Sequence, residues 1–179
     1  MSFRQAVSAD LSRIYQTTST FSALKATFIS APFSAALLYR LSSVVFARNR
    51  IIAQLIARVN LAINGIDIDP RATIDDGVLF QHPGGVVIGG GVHIGSYCTL
   101  MGGVTIGRKT LGYDDFNGYP KLGACVTVGA NATILGPISI GNQTTIGASA
   151  VAIKDTPDRS IWAGNPARLI RSTNGEVEK

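Results

Sequence analysis

Residues 88–106 read Ile-Gly-Gly-Gly-Val-His-Ile-Gly-Ser-Tyr-Cys-Thr-Leu-Met-Gly-Gly-Val-Thr-Ile. Ile88, Ile94, Leu100 and Ile106 stand six apart. A second run, Leu122, Val128, Ile134, Ile140 and Ile146, keeps the same interval. Gly follows seven of these nine aliphatics, at 89, 95, 107, 123, 129, 141 and 147. Four residues after most of them comes a small or β-branched side chain: Val92, Cys98, Val104, Val126, Ala132, Ile138, Thr144 and Ala150. Ile68, Ile74 and Phe80 begin the pattern upstream.

A period of six fits neither the 3.6 of an α-helix nor the simple alternation of a strand. It fits a triangular coil in which each hexapeptide supplies one short strand and one corner, with three hexapeptides, roughly 18 residues, to a turn. The aliphatic and the residue four positions later point inward. The Gly sits where a Cβ would crowd the backbone. The pattern predicts a mainly β fold, a parallel β-helix solenoid. Ile106 and Leu122 are 16 residues apart, which breaks the register. The polar and aromatic stretch between them predicts a loop extruded over 108–119, and insertions in solenoids often carry binding.

All twenty glycines lie at Gly65 or later. The net charge of +5 divides at the same point. Residues 1–64 hold seven basic side chains against Asp10, and the rest of the chain is close to neutral. A uniformly basic nucleic-acid binder would not look like this. Apolar residues spaced by three and four predict helices over 8–20, 33–48 and 51–63. Ser8 or Asp10 would cap the first, and Gly65 would stop the last. The domains expected are a helical segment at 1–64, the solenoid at 65–170 and a tail at 171–179. The helices are expected to pack on the solenoid or on a sister subunit. The other reading is that their basic, apolar surface touches an anionic inner membrane.

Two cysteines and two histidines, none in a metal-binding spacing, predict neither a disulfide framework nor a metal site. The N-terminus lacks the apolar run of a signal peptide. The longest uncharged stretch of the N-terminal segment, 26–39, is short of the roughly 20 residues of a spanning helix. A soluble, cytoplasmic protein is expected.

Several stretches together resemble one family. They are Gly-Ile-Asp-Ile-Asp-Pro (65–70), Phe-Gln-His-Pro-Gly-Gly-Val-Val-Ile-Gly (80–89) and Gly-Gly-Val-Thr-Ile-Gly (102–107). Tyr-Pro-Lys-Leu-Gly (119–123), Gly-Ala-Asn-Ala-Thr-Ile-Leu-Gly (129–136) and Ala-Gly-Asn-Pro-Ala-Arg (163–168) complete the set. The chain is similar to the hexapeptide acyltransferases, and among them to the serine acetyltransferases and their sugar-modifying relatives. The resemblance implies a left-handed β-helix. It also implies acetyl-CoA as acyl donor, a homotrimer or dimer of trimers, and active sites between subunits. It makes His82 the general base and Asp67 the carboxylate that orients it. A His near neutral pKa suits that task. The plainer reading of His82 is a corner residue that only makes hydrogen bonds. The resemblance places the CoA arm along Gly129, Ala130, Gly147 and Ala148. Lys154 and Arg168 are candidates for its phosphates, or else plain surface charges. His93 precedes an inward Ile and is read as surface.

The chain departs from the family at the acceptor. Gln81 stands where serine acetyltransferases carry an Asp before the catalytic His. Gly118-Tyr119 stands where they carry an Arg-His pair. The Gly-Gly-Thr-Gly-Lys segment gives way to the 108–119 loop. A zwitterion needs charged partners to offset its desolvation. Gln81, Tyr113, Asn117 and Tyr119 suit a neutral polyol instead. The first expectation is therefore O-acetylation of a sugar in a surface polysaccharide or its precursor. The alternative is a serine O-acetyltransferase of cysteine biosynthesis. A non-catalytic scaffold and a hexapeptide-type carbonic anhydrase are further readings, the latter short of histidine ligands.

Overall fold

The computed structural model describes residues 2–15, 30–109 and 118–172. The hexapeptides wind into the expected coil. The first turn holds β1 (Asp67–Ile68), β2 (Thr73–Ile74) and β3 (Leu79–Gln81). The second holds β4 (Val87–Ile88), β5 (His93–Ile94) and β6 (Thr99–Met101). The third holds β7 (Thr105–Gly107), β8 (Lys121–Leu122) and β9 (Thr127–Val128). The fourth holds β10 (Thr133–Leu135), β11 (Ser139–Ile140) and β12 (Thr145–Ile146). A last partial turn brings β13 (Val151–Ala152), β14 (Ser160–Ala163) and β15 (Arg168–Ser172).

Equivalent strands of successive turns pair in parallel and make three flat faces. The first face is β1-β4-β7-β10-β13, the second β2-β5-β8-β11 and the third β3-β6-β9-β12-β14. Register is strict: Ile68 pairs with Ile88, Ile88 with Ile106, and Ile106 with Ile134. Each inward aliphatic therefore stacks on its equivalent one turn away. The second inward set is buried with it, from Val92 to Ala150, including Thr144. Aliphatic burial of this kind is the main favourable term in the fold.

The glycines beside the aliphatics work by close approach. A Cβ at Gly95 would lie 2.6 Å from the Gly123 carbonyl carbon, and one at Gly129 would lie 2.5 Å from Ala148 N. Gly107 is the exception, with nothing within 4 Å. The left-handed corner position two residues on is not Gly at all. Tyr97, Cys125, Asn131, Gln143 and Ser149 hold it, with φ between 56° and 59°.

Both ends of the stack are covered, as a solenoid requires. β15 runs antiparallel along β14 at the C-terminal end. Among the described residues, three helices close the other end: α1 (Phe3–Tyr15), α2 (Ala31–Phe46) and α3 (Arg50–Asn64). Ser30 and Asn49 cap α2 and α3, and Gly65 ends α3 at φ 68°. α1 starts five residues before the expected position, and Asp10 is no cap. Its buried carboxylate accepts from Arg40 Nε at 3.0 Å and from the Val78 amide at 3.0 Å. Arg40 also donates to the Ile74 and Asp75 carbonyls. The pair thus ties α1 and α2 to the first turn of the coil. Burial pushes the Asp10 carboxyl up, and Arg40 with the nearby amides pulls it only part of the way back.

Candidate active site

The edge that carries His82 is the one where the chain passes from the third face to the first. At the first turn this passage is two residues longer than at the second. Phe80 and Ile88 are eight apart, against six for Leu100 and Ile106. The extra length sits in His82-Pro83-Gly84-Gly85, and His82 takes φ 58°. Gln81, the last residue of β3, is exposed beside it. The bulge is pinned from both sides. Gly85 N–H donates to the Gly65 carbonyl at 2.8 Å, and Gly103 N–H donates to the Gly84 carbonyl at 3.0 Å. Gly102 lies over the His82 carbonyl, and a Cβ there would come within 2.7 Å of it.

Asp67 opens β1 one residue past this edge, paired with Val87. Its side chain is exposed, as is that of His82. The coil therefore brings the two to one corner, without a hydrogen bond between their side chains. The same edge continues upward through small residues. Asn131 N–H donates to the Gly102 carbonyl, and Ser149 N–H to the Ala130 carbonyl. Gly129-Ala130 and Gly147-Ala148 thus sit two and three turns above His82. At the strand spacing of a β-sheet that is about 10 and 14 Å along the edge. Arg168 opens β15 opposite Ala163 at the top of this edge.

Other expected residues lie elsewhere. Tyr119 and Lys154 are on the next edge, between the first and second faces. The Tyr119 ring covers Gly89 and Gly91, where a Cβ at Gly89 would lie 2.6 Å from the ring. Arg108 stacks on that ring at 5.7 Å from its centroid. Within one chain, then, Tyr119 and Lys154 are a full face away from His82. Tyr113 and Asn117 lie outside the described residues. His93 is on the second face beside Asp75, away from the site, as its place before Ile94 predicts. Among the described residues, no group of three His, Cys, Asp or Glu side chains could hold a metal.

One feature has no signal in the hexapeptide pattern. A cleft of about 280 Å³ opens between α3 and the first face. Its lining includes Gln54, Arg58, Asp67, Asp69 and Val87. Burial raises the Asp69 carboxyl, but Arg71 outweighs it and holds the group below its ordinary range. Arg71 Nη2 lies 2.7 Å from Asp69 Oδ2. Arg58 is exposed on the cleft wall and brings a cation to the neighbourhood of Asp67.

The serine acetyltransferase of Helicobacter pylori is 40% identical over 139 residues, covering 76% of this chain and 79% of that protein. The chain belongs to the serine acetyltransferase family. A probable serine acetyltransferase of rice is 37% identical over 142 residues, 79% of this chain and 41% of its own length. The soybean serine acetyltransferase apoenzyme superposes with a TM-score of 0.84 at 32% identity. That overlay covers 94% of this chain and 69% of the soybean chain, and so carries over the family's left-handed coil. The chain spans about a third to two fifths of the length of the first plant relatives it matches. No family model matches it. These relatives favour the serine O-acetyltransferase alternative and lend nothing to the polysaccharide reading drawn from Gln81 and Tyr119.

Proposed function

We propose that the protein is an acetyl-CoA-dependent O-acetyltransferase whose acceptor is the hydroxyl of L-serine. The observation that carries this reading is the single edge shared by His82, Gly129-Ala130 and Gly147-Ala148. His82 takes the proton of the acceptor hydroxyl as its oxygen attacks the thioester carbonyl. The tetrahedral intermediate collapses, the C–S bond breaks, and the imidazolium returns the proton to the CoA sulfur. Acetyl stays on the acceptor oxygen, and no covalent enzyme intermediate forms. Asp67 orients the imidazole once substrate closes the corner, since apo geometry at such sites is often loose.

The pantetheine arm runs up the edge, where small side chains leave backbone groups open to its amides. Arg168 meets the CoA phosphates at the top. In a homotrimer the Tyr119 and Lys154 edge of one copy faces the His82 edge of the next, which completes the site. Gln81 borders the acceptor. Arg58 supplies the cation that a serine carboxylate needs, a role the missing Arg-His pair cannot fill.

A second reading keeps one observation in its favour. Gln81 and Tyr119 are neutral where a zwitterion is usually gripped, which suits a sugar hydroxyl. Release of free CoA, followed with L-serine and separately with neutral saccharides, separates the two. L-serine is expected to drive release, and His82→Ala to lower it by about a hundredfold or more. Release with saccharides but not with L-serine would establish the second reading. Turnover retained in His82→Ala would remove His82 as the base.

A further inference from the structure

α3 is built with its polar side inward, and α2 buries Ser34 and Arg40 beside Phe33 and Tyr39. Ser34 and Ala35 of α2 and Ala53, Asn60 and Asn64 of α3 are buried. A ladder of side chains joins the helices. Ser34 Oγ donates to Asn64 Oδ1 at 2.7 Å, Asn64 Nδ2 to Asn60 Oδ1 at 2.9 Å, and Asn60 Nδ2 to the Ala35 carbonyl at 3.0 Å. The aliphatics turn out. Ile51, Leu55, Val59 and Ile63, each four apart, form one ridge of α3. Ile51 is 75% exposed, Leu55 61% and Ile63 68%. α2 adds Leu41 and Val44, also exposed. An aliphatic ridge open to water on a helix whose buried side is Ala and Asn is an interaction surface.

The charges beside it have one sign. Asp10, the one acidic residue among the described residues before Gly65, is buried against Arg40. Arg4, Arg48, Arg50 and Arg58 are exposed. Every exposed formal charge on the described helices is therefore positive.

We infer that this face docks on an anionic lipid surface. The headgroup phosphates meet Arg4, Arg48 and Arg50, and the ridge of α3 sinks into the boundary between headgroups and acyl chains. α3 lies in the plane of the surface, for no described helix is long and apolar enough to cross a membrane. A second copy fits less well. Two-fold pairing would set Arg48, Arg50 and Arg58 against their own equivalents, with no acid on either side to offset them.

Flotation of the full chain with vesicles tests the inference. One set is phosphatidylcholine alone, and the other is equal parts phosphatidylcholine and phosphatidylglycerol. Binding is expected to rise about tenfold with phosphatidylglycerol and to weaken with added salt. Leu55→Asp with Ile63→Asp is expected to lose that binding about tenfold, at an unchanged melting temperature. Arg48→Gln with Arg50→Gln, both at exposed positions, removes the preference for anionic vesicles. If the aspartate variant fails to fold, the arginine variant decides. Equal binding to both vesicle types, or no binding to the anionic ones, overturns the inference. So does a lower solution mass of the lipid-free aspartate variant than of the wild type, which would assign the face to a second copy.

Discussion

The Cβ that Gly102 lacks would lie 2.7 Å from the carbonyl oxygen of His82. Any side chain at 102 must push the His82 bulge away from the end of the second turn. His82 already holds a left-handed backbone, φ 58°, which leaves it little room to adjust. Gly102→Ala is expected to lower kcat at least about tenfold, since small misplacements of a base are costly. The melting temperature should move by only a few degrees. Gly107→Ala is the control, because its Cβ would meet nothing within 4 Å. Steady-state kinetics and thermal melts of both variants check the pair. Equal losses of activity would remove Gly102 as the support of His82.

Arg58 lines the cleft that holds Asp67, and its guanidinium is exposed. A hydrogen bond to a charged group contributes about 1.5–3 kcal/mol, or roughly ten- to a hundredfold in kcat/KM. Arg58→Gln should therefore raise KM for L-serine by about that factor while KM for acetyl-CoA stays unchanged. Arg58→Lys, which keeps the charge but loses the planar fork, should fall between. An unchanged KM for L-serine in Arg58→Gln would exclude this residue from the acceptor site.

The coil was legible because its period is a count. Ile88 to Ile106 and Leu122 to Ile146 fix the strands and the inward residues without any tertiary information, while most of the loop expected over 108–119 lies outside the described residues. The His82 bulge has a trace in the sequence too, the eight residues from Phe80 to Ile88. The helices read less well. Spacing shows that α3 has an apolar ridge, but not whether the ridge faces the coil. Here the contact between α2 and α3 uses Ser34, Asn60 and Asn64, and the ridge stays outside. The start of α1 was misplaced because Asp10 has cap chemistry and yet is bound by Arg40, thirty residues away in the chain. The same nonlocality hid Arg58, which comes to line one cleft with Asp67 only through helix-on-face packing. It also placed Tyr119 and His82, thirty-seven residues apart in the chain, on separate edges.

Arg40 is the residue on which the helical layer depends. Its guanidinium serves Asp10 and two carbonyls of the first turn. Arg40→Met leaves the buried Asp10 carboxylate without a counter-charge, held by the Val78 amide, and takes the guanidinium from those carbonyls. Removing one partner of such a pair costs about 3–5 kcal/mol. Asp10→Leu combined with Arg40→Met should recover part of that loss, because the uncompensated carboxylate goes with it. Urea denaturation of the single and double variants measures the difference. Equal stability of Arg40→Met and the wild type would show that the pair adds nothing.

Cys98 and Cys125 should behave as two different thiols. Cys98 is an inward residue of the second turn, fully buried, with Sγ donating to the Gly123 carbonyl at 3.2 Å. Burial pushes its thiol up to about 11, from an ordinary 9.0. Cys125 sits exposed at a corner. A thiol reagent at neutral pH should label Cys125 alone in the native protein and both residues after unfolding. The pH dependence has a definite sign. Between pH 9 and about 11 the unfolded chain gives up the Cys98 proton while the folded chain keeps it. Ionisation then stabilises the unfolded state, so stability falls as pH rises through that window. Below pH 9 the group contributes no slope. Cys98→Ala, with the small residue that Ala132 and Ala150 place at equivalent inward positions, should be less stable at neutral pH but lose less between pH 9 and 11. Denaturation at a series of pH values checks both parts. Parallel stability curves for the wild type and Cys98→Ala across that window would show that the thiol ionises alike in the folded and unfolded chains.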